Sequence, residues 1–535
     1  MRSTLIALIA LAAANAQHLD PNTNASLPFA DIAQPKPGEW PTYDGTLSGN
    51  RFSPLDQINA ATIQRLAPKW MFTIQGAPRP LQMTPLVVGG VMYVTSVNEA
   101  YALDARSGRQ LWHYSRPRTS GLAGDAATGI NRGVAALGDR VFMVTDNAHL
   151  IALGRDKGEL LWDVEMADSR QNYGATGAPL VVNDLVIAGV SGGDEGVRGF
   201  LDAYRAATGE RVWRFWTVPA PGEPGSETWI GRAIEHGCAA TWLTGTYDPQ
   251  ARLLYWPTGN PCPDYNGDER KGDNLYSASV LALDPDTGRL RWHYQFTPHD
   301  LHDWDANEPL MLVDIRFRGA PRTLLVQANR NGFFYVLDRL SGKLLLAEPF
   351  VKSVTWASRI GTDGRPVLLP GNEPTRDGQR VCPAVAGASN WSSAAFSPAT
   401  NLFYVFAEES CAIYTKNDRW WEAGKSFYGG VTRRAPGSGA AGKVLKAIDV
   451  ETGRTAWEAP VGGGIGASGL MATAGGLIFY GQEDGFVAAG ASDGRRLWQF
   501  NTNLMWKAGP MTYAVDGDQF VAVAAGSNVL AFSLR

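Results

Sequence analysis

Short apolar runs alternate along the chain with polar turns that carry a glycine, and several of these units share one frame. A small apolar residue is followed six positions on by Gly, and four positions later by a large apolar residue. The copies run Ala102–Gly108–Trp112, Ala152–Gly158–Trp162, Ala203–Gly209–Trp213, Ala282–Gly288–Trp292, Val336–Gly342–Leu346 and Ala447–Gly453–Trp457. A looser copy runs from Ala489 through Gly494 to Trp498. The pattern predicts hairpins: an apolar strand enters a polar turn closed by glycine, and the returning strand carries the ring. A large ring at a fixed place in each copy suits a docking surface between stacked sheets.

The glycines are 50, 51, 79, 54, 111 and 41 residues apart, and a period of ~40–50 residues fits a four-stranded propeller blade. The widest gap has room for a degenerate copy around Ser397 to Thr400. The segment from Trp40 to Trp70 and the C-terminal strands remain to close a ring. The expectation is all-β: an eight-bladed β-propeller with tryptophan-docking motifs, with an open solenoid as the alternative. The 60 glycines and 18 tryptophans agree with many tight turns around a repeated apolar anchor.

Charge and targeting signals narrow the function classes. A formal charge of −4 gives no basic excess, so no nucleic-acid partner is expected. Met1-Arg2, the apolar run Leu5 to Ala14 and the small residues Ala14-Asn15-Ala16 predict a signal peptide over 1–16, with the propeller domain over 17–535. The apolar run is too short to span a bilayer and no later stretch is long enough, so no transmembrane anchor is expected. Export to an oxidising compartment, the periplasm, would let Cys238, Cys262, Cys382 and Cys411 pair, with three complete pairings open. None of them forms C-x-x-C or C-x-x-C-H, which argues against a zinc ribbon or covalent haem.

Ordered motifs then carry a resemblance. Thr84-Pro-Leu-Val-Val, Asn131-Arg-Gly-Val-Ala, Gly196-Val-Arg-Gly and Thr258-Gly-Asn-Pro come first. Gly272-Asp-Asn-Leu-Tyr, Thr297-Pro-His-Asp, Asn331-Gly-Phe-Phe-Tyr-Val-Leu-Asp-Arg and Asn390-Trp391 follow. With the docking repeat, they resemble the quinoprotein alcohol dehydrogenases of the methanol/ethanol dehydrogenase branch, propellers that carry pyrroloquinoline quinone (PQQ). The resemblance implies a periplasmic oxidoreductase that oxidises an alcohol to an aldehyde by hydride transfer to PQQ with one metal ion. It implies a separate cytochrome c or similar electron acceptor, since no haem motif is present, and it leaves a homodimer open. The alternative is a non-enzymatic envelope scaffold on the same propeller, and the discriminator is a set of polar residues converging on the axis.

That set exists by register. The resemblance places Trp242 on one face of PQQ, Arg132 on a carboxylate, and Thr176 with Ser191, Gly192 and Gly193 around the ring. Arg330 falls beside the quinone oxygens, with Asn390 and Gln82 as further contacts. Asp194, Asn260 and Asp303 fall at the metal-ligand positions, where oxygen donors suit a hard cation, and Asp303 also at the catalytic base. Asp305, two residues on, marks relatives that use a lanthanide(III) rather than calcium; on an extended strand both carboxylates would share a face. Departures are Asp194 in place of Glu with Glu195 as a substitute, His302 in place of Trp, Gln82 in place of Glu, and Ala126-Ala127 in place of two cysteines. The resemblance also implies a Cys382–Cys411 disulfide, which leaves Cys238 to pair with Cys262.

Overall fold

The computed structural model describes residues 26–438, 443–461 and 468–535, so the expected signal segment lies outside the described residues. These residues form an all-β structure: seven four-stranded antiparallel sheets, one five-stranded sheet, and smaller sheets of three and two strands. No helix among them is long and apolar enough to cross a membrane.

The repeat is the third and fourth strand of seven of the large sheets. Ala102 faces Trp112, Ala152 faces Trp162 and Ala447 faces Trp457, each pair beside a register shift at the turn. In the looser copy the residue facing Trp498 is Ala488 rather than Ala489, so that copy keeps the common frame after all. The docking function of the ring is physical. Trp112 donates its indole N–H to the carbonyl of Arg155 at 2.8 Å, and its ring lies against Gly158, where a Cβ would approach to 2.6 Å. Gly158 also has φ +73°, a conformation L side chains avoid. The same contact joins Trp162 to Gly209, Trp213 to Gly288, Trp292 to Gly342 and Trp457 to Gly494. Leu346, with Glu348, takes the place of Trp against Gly453.

One sequence expectation changes. The widest gap holds no additional copy. Ala395–Ser397 and Leu402–Glu408 are the first two strands of the sheet completed by Lys443–Asp449 and Thr455–Pro460. The rest of the gap forms a hairpin, Ala357–Ile360 with Pro366–Leu368, and a small sheet of Gln379–Val381, Ala412–Lys416 and Gly430–Arg434. The eighth large sheet instead joins the two ends of the described chain: Leu66–Thr73 pairs antiparallel with Asn528–Leu534. Trp70 on that first strand docks on Gly108 and donates to the Ala105 carbonyl at 3.1 Å, a seventh copy of the contact. Both disulfides, Cys382–Cys411 and Cys238–Cys262, are present.

Antiparallel topology separates the ends of the sheets. The docking turns join strands three and four. The segments that enter strand one and those that join strands two and three lie together at the opposite end, and the residues singled out above occur there.

Candidate functional site

One cavity of about 360 Å³ gathers Gln82, Arg132, Ser191, Gly192, Gly193, Asp194, Trp242, Asp303, Asp305, Arg330 and Asn390. Arg132, Trp242, Asp303, Asp305 and Asn390 lie in segments entering first strands, before Ala135–Leu137, Thr246–Asp248, Met311–Phe317 and Ala395–Ser397. Ser191 to Asp194 and Arg330 lie between second and third strands. Thr176 stands behind the wall and accepts a hydrogen bond from Arg132 at 2.7 Å. The Arg132 guanidinium lies 4.8 Å from the ring centres of both Trp242 and Trp391.

The acidic part of the cavity has a defined local cause. Asp300 accepts the backbone N–H of His302 at 3.1 Å and of Trp304 at 2.8 Å, and Trp304 is anchored through its indole N–H to Ala384. This clamp holds Asp303 at φ +59°, so the expected extended stretch is absent and Asp303 and Asp305 do not share a strand face. Asp303 instead faces Asp194 and Asp264, with ligand oxygens of all three within 4.8 Å of one another. Asp305 accepts hydrogen bonds from Arg330 at 2.5 Å, the Asn260 backbone N–H at 3.1 Å and the Trp242 indole at 3.4 Å. Arg330 also lies 3.5 Å from Asp303.

Asp264 was not selected from the sequence; it lies three residues beyond the Thr258–Pro261 motif that carries Asn260. The Cys238–Cys262 bond ties this stretch to the segment entering Trp242. Tyr265, beside it, points its hydroxyl at Asp303 at 3.4 Å. Glu195 turns toward the helix Gly124–Thr128, where its pKa is pushed up to about 7 by burial and by Asp125. Ala126 in that helix packs against Gly174, whose added Cβ would meet it at 2.3 Å. His302 stacks on Trp304 and donates through Nε2 to the Asn372 carbonyl at 2.6 Å.

Electrostatically the site is short of positive charge. Burial, then the charges of Asp264 and Asp303, raise Asp194 well above the usual carboxylate range. Burial and then Asp303 do the same to Asp264, and burial raises Asp303 although Arg330 opposes it. Both side-chain polar atoms of buried Asn260 and one oxygen of Asp264 have no hydrogen-bond partner among the described residues. Unpartnered buried oxygens beside three crowded carboxylates suit a hard cation. Arg132, with an unpartnered Nε between two indoles, suits a flat anionic ligand.

Comparison with known proteins agrees. The family model of the PQQ glucose/ethanol/alcohol dehydrogenase beta-propeller domain matches residues 40–348 and 363–521. The quinoprotein alcohol dehydrogenase PedH of Pseudomonas putida is 38% identical over 90% of this chain and 84% of the relative. A lanthanide-dependent methanol dehydrogenase of Methylacidiphilum fumariolicum is 37% identical over 92% and 85%. Among solved structures, the quinohemoprotein alcohol dehydrogenase ADHIIG of Pseudomonas putida superimposes with a TM-score of 0.90 at 33% identity, covering 96% of this chain and 83% of that one. A europium-containing methanol dehydrogenase gives 0.89 at 32%, covering 94% and 99%. The chain belongs to the PQQ-dependent alcohol dehydrogenase family, β-propeller enzymes that oxidise alcohols.

Proposed function

We propose that the cavity is where this PQQ-dependent alcohol dehydrogenase holds cofactor, cation and alcohol together, with Asp303 as the base. The observation that carries the reading is the Asp194–Asp264–Asp303 cluster, of which Asp194 and Asp303 line the same cavity as Trp242 and Arg132, together with unpartnered Asn260. Trp242 offers a face for the flat cofactor, and Arg132 pairs with one of its carboxylates. Thr176 orients Arg132; Gln82, Asn390 and the Ser191–Gly193 turn border the ring. Gly192 is required there because at φ +107° its added Cβ would strike the Asn172 carbonyl at 2.6 Å.

When bound, PQQ supplies a two-electron acceptor and the cation Lewis acidity beside it. Asp303 accepts the hydroxyl proton of the alcohol as general base. Its strained backbone and the Tyr265 hydroxyl fix the direction of the carboxylate, and Arg330 keeps it charged when the cation shares the site. Arg330 is itself held above its ordinary pKa, because Asp303, Asp305 and Glu308 outweigh its burial.

Among cations we favour a lanthanide(III). Asp194, Asp264 and Asp303 bring three negative charges to one point, with Asp305 at its border, and like carboxylates are costly together unless a highly charged ion lies between them. The eight large sheets are read as a closed eight-bladed ring over 17–535. Six junctions dock a tryptophan on a glycine of the next sheet, a seventh uses Leu346, and Phe486 and Trp498 meet Phe532 where the last sheet adjoins the terminal one. Periplasmic residence and a separate cytochrome c acceptor complete the reading.

The test is reconstitution: protein freed of cofactor and metal, then PQQ with La3+ or Ca2+, followed by its absorption spectrum and dye-linked oxidation of a primary alcohol. Activity should need both additions, and Asp305→Ala should lower lanthanide-supported turnover more than calcium-supported turnover. No activity with either ion would overturn the assignment of the cavity; equal loss with both ions would overturn only the choice of metal.

A further inference from the structure

We propose that the Cys238–Cys262 disulfide is a positioning element of the cation site, which holds Asn260 and Asp264 in place against the repulsion of the gathered carboxylates. Without it the site loses affinity for its cation. The inference rests on the cation site proposed above.

The bond touches the cluster. Both cysteines are fully buried. Asn260 stands two residues before Cys262, and Asp264 two residues after it. Sγ of Cys262 lies 3.3 Å from Oδ1 of Asp264 and 2.7 Å from the carbonyl oxygen of Gly193, the residue before Asp194. A disulfide sulfur has no hydrogen to donate, so these are packing contacts. They limit how far either oxygen can move toward the sulfur.

The other half of the bond is anchored. Cys238 and Ala239 are consecutive non-glycine residues at φ +63° and +53°, a conformation that L residues keep only where their surroundings enforce it. Here the backbone does so. Cys238 donates its N–H to the Val197 carbonyl and accepts from Gly199, both at 2.8 Å. Ala239 donates to the Asn260 carbonyl at 2.9 Å, and Gly259 donates to the Ala240 carbonyl at 2.8 Å. The same Ala240 carbonyl accepts from Asn307 at 3.1 Å. The disulfide thus joins the stretch bearing two cation ligands to a segment that is bonded on both sides and leads into Trp242.

A covalent tie is needed because the ligands are weakly held otherwise. Oxygens of Asp194, Asp264 and Asp303 lie within 4.8 Å of one another, and like charges so close repel until a cation enters. Oδ2 of Asp264 and both side-chain polar atoms of Asn260 have no hydrogen-bond partner among the described residues. Arg270 grips the carbonyls of Pro263 and Asp264 at 2.9 and 3.2 Å, and Cys262 ties the chain on the near side of them.

The second disulfide supplies the contrast. Cys382–Cys411 crosses two strands already paired through Val381 and Ala412, and it packs on Ala435 and Ile413. The two bonds span 24 and 29 residues, so loop closure should contribute similarly to global stability in both.

The experiment titrates La3+ by calorimetry into protein freed of PQQ and metal. Cys238→Ala with Cys262→Ala should weaken La3+ by about tenfold or more, as loss of a group that orients metal ligands does. Cys382→Ala with Cys411→Ala should stay within about threefold of the parent, as distant sites usually do, although both pairs lower the unfolding midpoint. Unchanged La3+ affinity in the folded Cys238/Cys262 variant, or equal loss in both variants, overturns the role. A second measurement needs no variant. Linkage is reciprocal, so La3+ must oppose reduction of the bond that favours its binding. The parent is equilibrated with dithiothreitol, which closes to its ring as a protein disulfide takes up two electrons and two protons. Alkylation and peptide mapping then follow each pair. La3+ should shift the equilibrium of Cys238–Cys262 toward the disulfide by about tenfold or more, which is about 30 mV, and leave Cys382–Cys411 unmoved. No shift, or the same shift in both, overturns the role as well. A parent protein that binds neither La3+ nor Ca2+ would instead overturn the proposed cation site, and this role with it.

Discussion

The two ends of the sheets obey opposite rules. At the docking end, one contact is repeated, and most of the rings complete it with an indole N–H on a neighbouring carbonyl, at 2.8–3.1 Å for Trp70, Trp112, Trp162 and Trp213. At the other end nothing repeats. Each sheet sends different polar side chains to the cavity, and Asn260, Asp264, Ser191 and Arg132 retain atoms without partners. The docking end satisfies most of its polar ring atoms within the protein, whereas the cavity end leaves those cavity atoms without partners among the described residues. Packing is therefore specified by repetition and chemistry by departure from it. The separation is not absolute, since Trp292 also leaves its indole N–H unpartnered.

The comparison breaks first if the base is replaceable. Asp303→Asn should lower kcat by about 10²–10⁴-fold, the usual contribution of a general base, while PQQ still binds by fluorescence titration. Retained turnover would remove Asp303 from the chemistry. Next come two tryptophans from opposite ends. Trp112→Ala should cost about 3–5 kcal/mol in denaturant unfolding, as large buried truncations do, with PQQ affinity kept in the folded fraction. Trp242→Ala should do the reverse, weakening PQQ by about tenfold through lost stacking with little change in unfolding. If both variants lose stability equally, the two ends are not separate in the way described.

Asp264→Asn sharpens the acidic end. It should weaken La3+ binding by about 10–100-fold, as loss of a carboxylate supporting a metal does, and isothermal titration would read this. The smallest expected effect is on pH. Asp194, Asp264 and Asp303 are held above the ordinary value of 3.8, with burial the first cause in each. Such groups stabilise the fold fully below their unfolded pKa and lose that contribution as pH rises through the folded pKa. Metal-free protein should therefore lose this contribution from about pH 4 upward. Because cation and proton compete for the same oxygens, added La3+ should raise the unfolding midpoint more at pH 8 than at pH 5. An equal shift at both would place the cation elsewhere.

Much of this was legible in the sequence, for uneven reasons. The Gly–Trp spacing predicts the hairpins because ring and glycine must meet across neighbouring sheets. Trp70 escaped because its sheet is assembled from both ends of the described chain, so the hairpin frame is interrupted. The turn around Ser397 to Thr400 was read as a separate copy, since a hairpin of strands one and two is locally indistinguishable from one of strands three and four. In the cavity, ordered motifs located Trp242, Arg132, Asn260, Asp303 and Arg330 together. They did not show Asp264, which reaches the cluster only through the path of the chain around Cys262. Nor did they show that Asp303 bends away from Asp305, because the Asp300 clamp is a matter of backbone direction.

The central claim is that three carboxylates and an amide, from segments distant in sequence, surround one cation within reach of Trp242 and Arg132. It is tested most directly by crystals grown with La3+ and PQQ and measured for anomalous scattering. The account predicts one strong peak among Asp194, Asn260, Asp264 and Asp303, at roughly the 2.3–2.6 Å typical of large hard cations and oxygen, with PQQ against Trp242. A peak elsewhere, or none in crystals that contain PQQ, would contradict it.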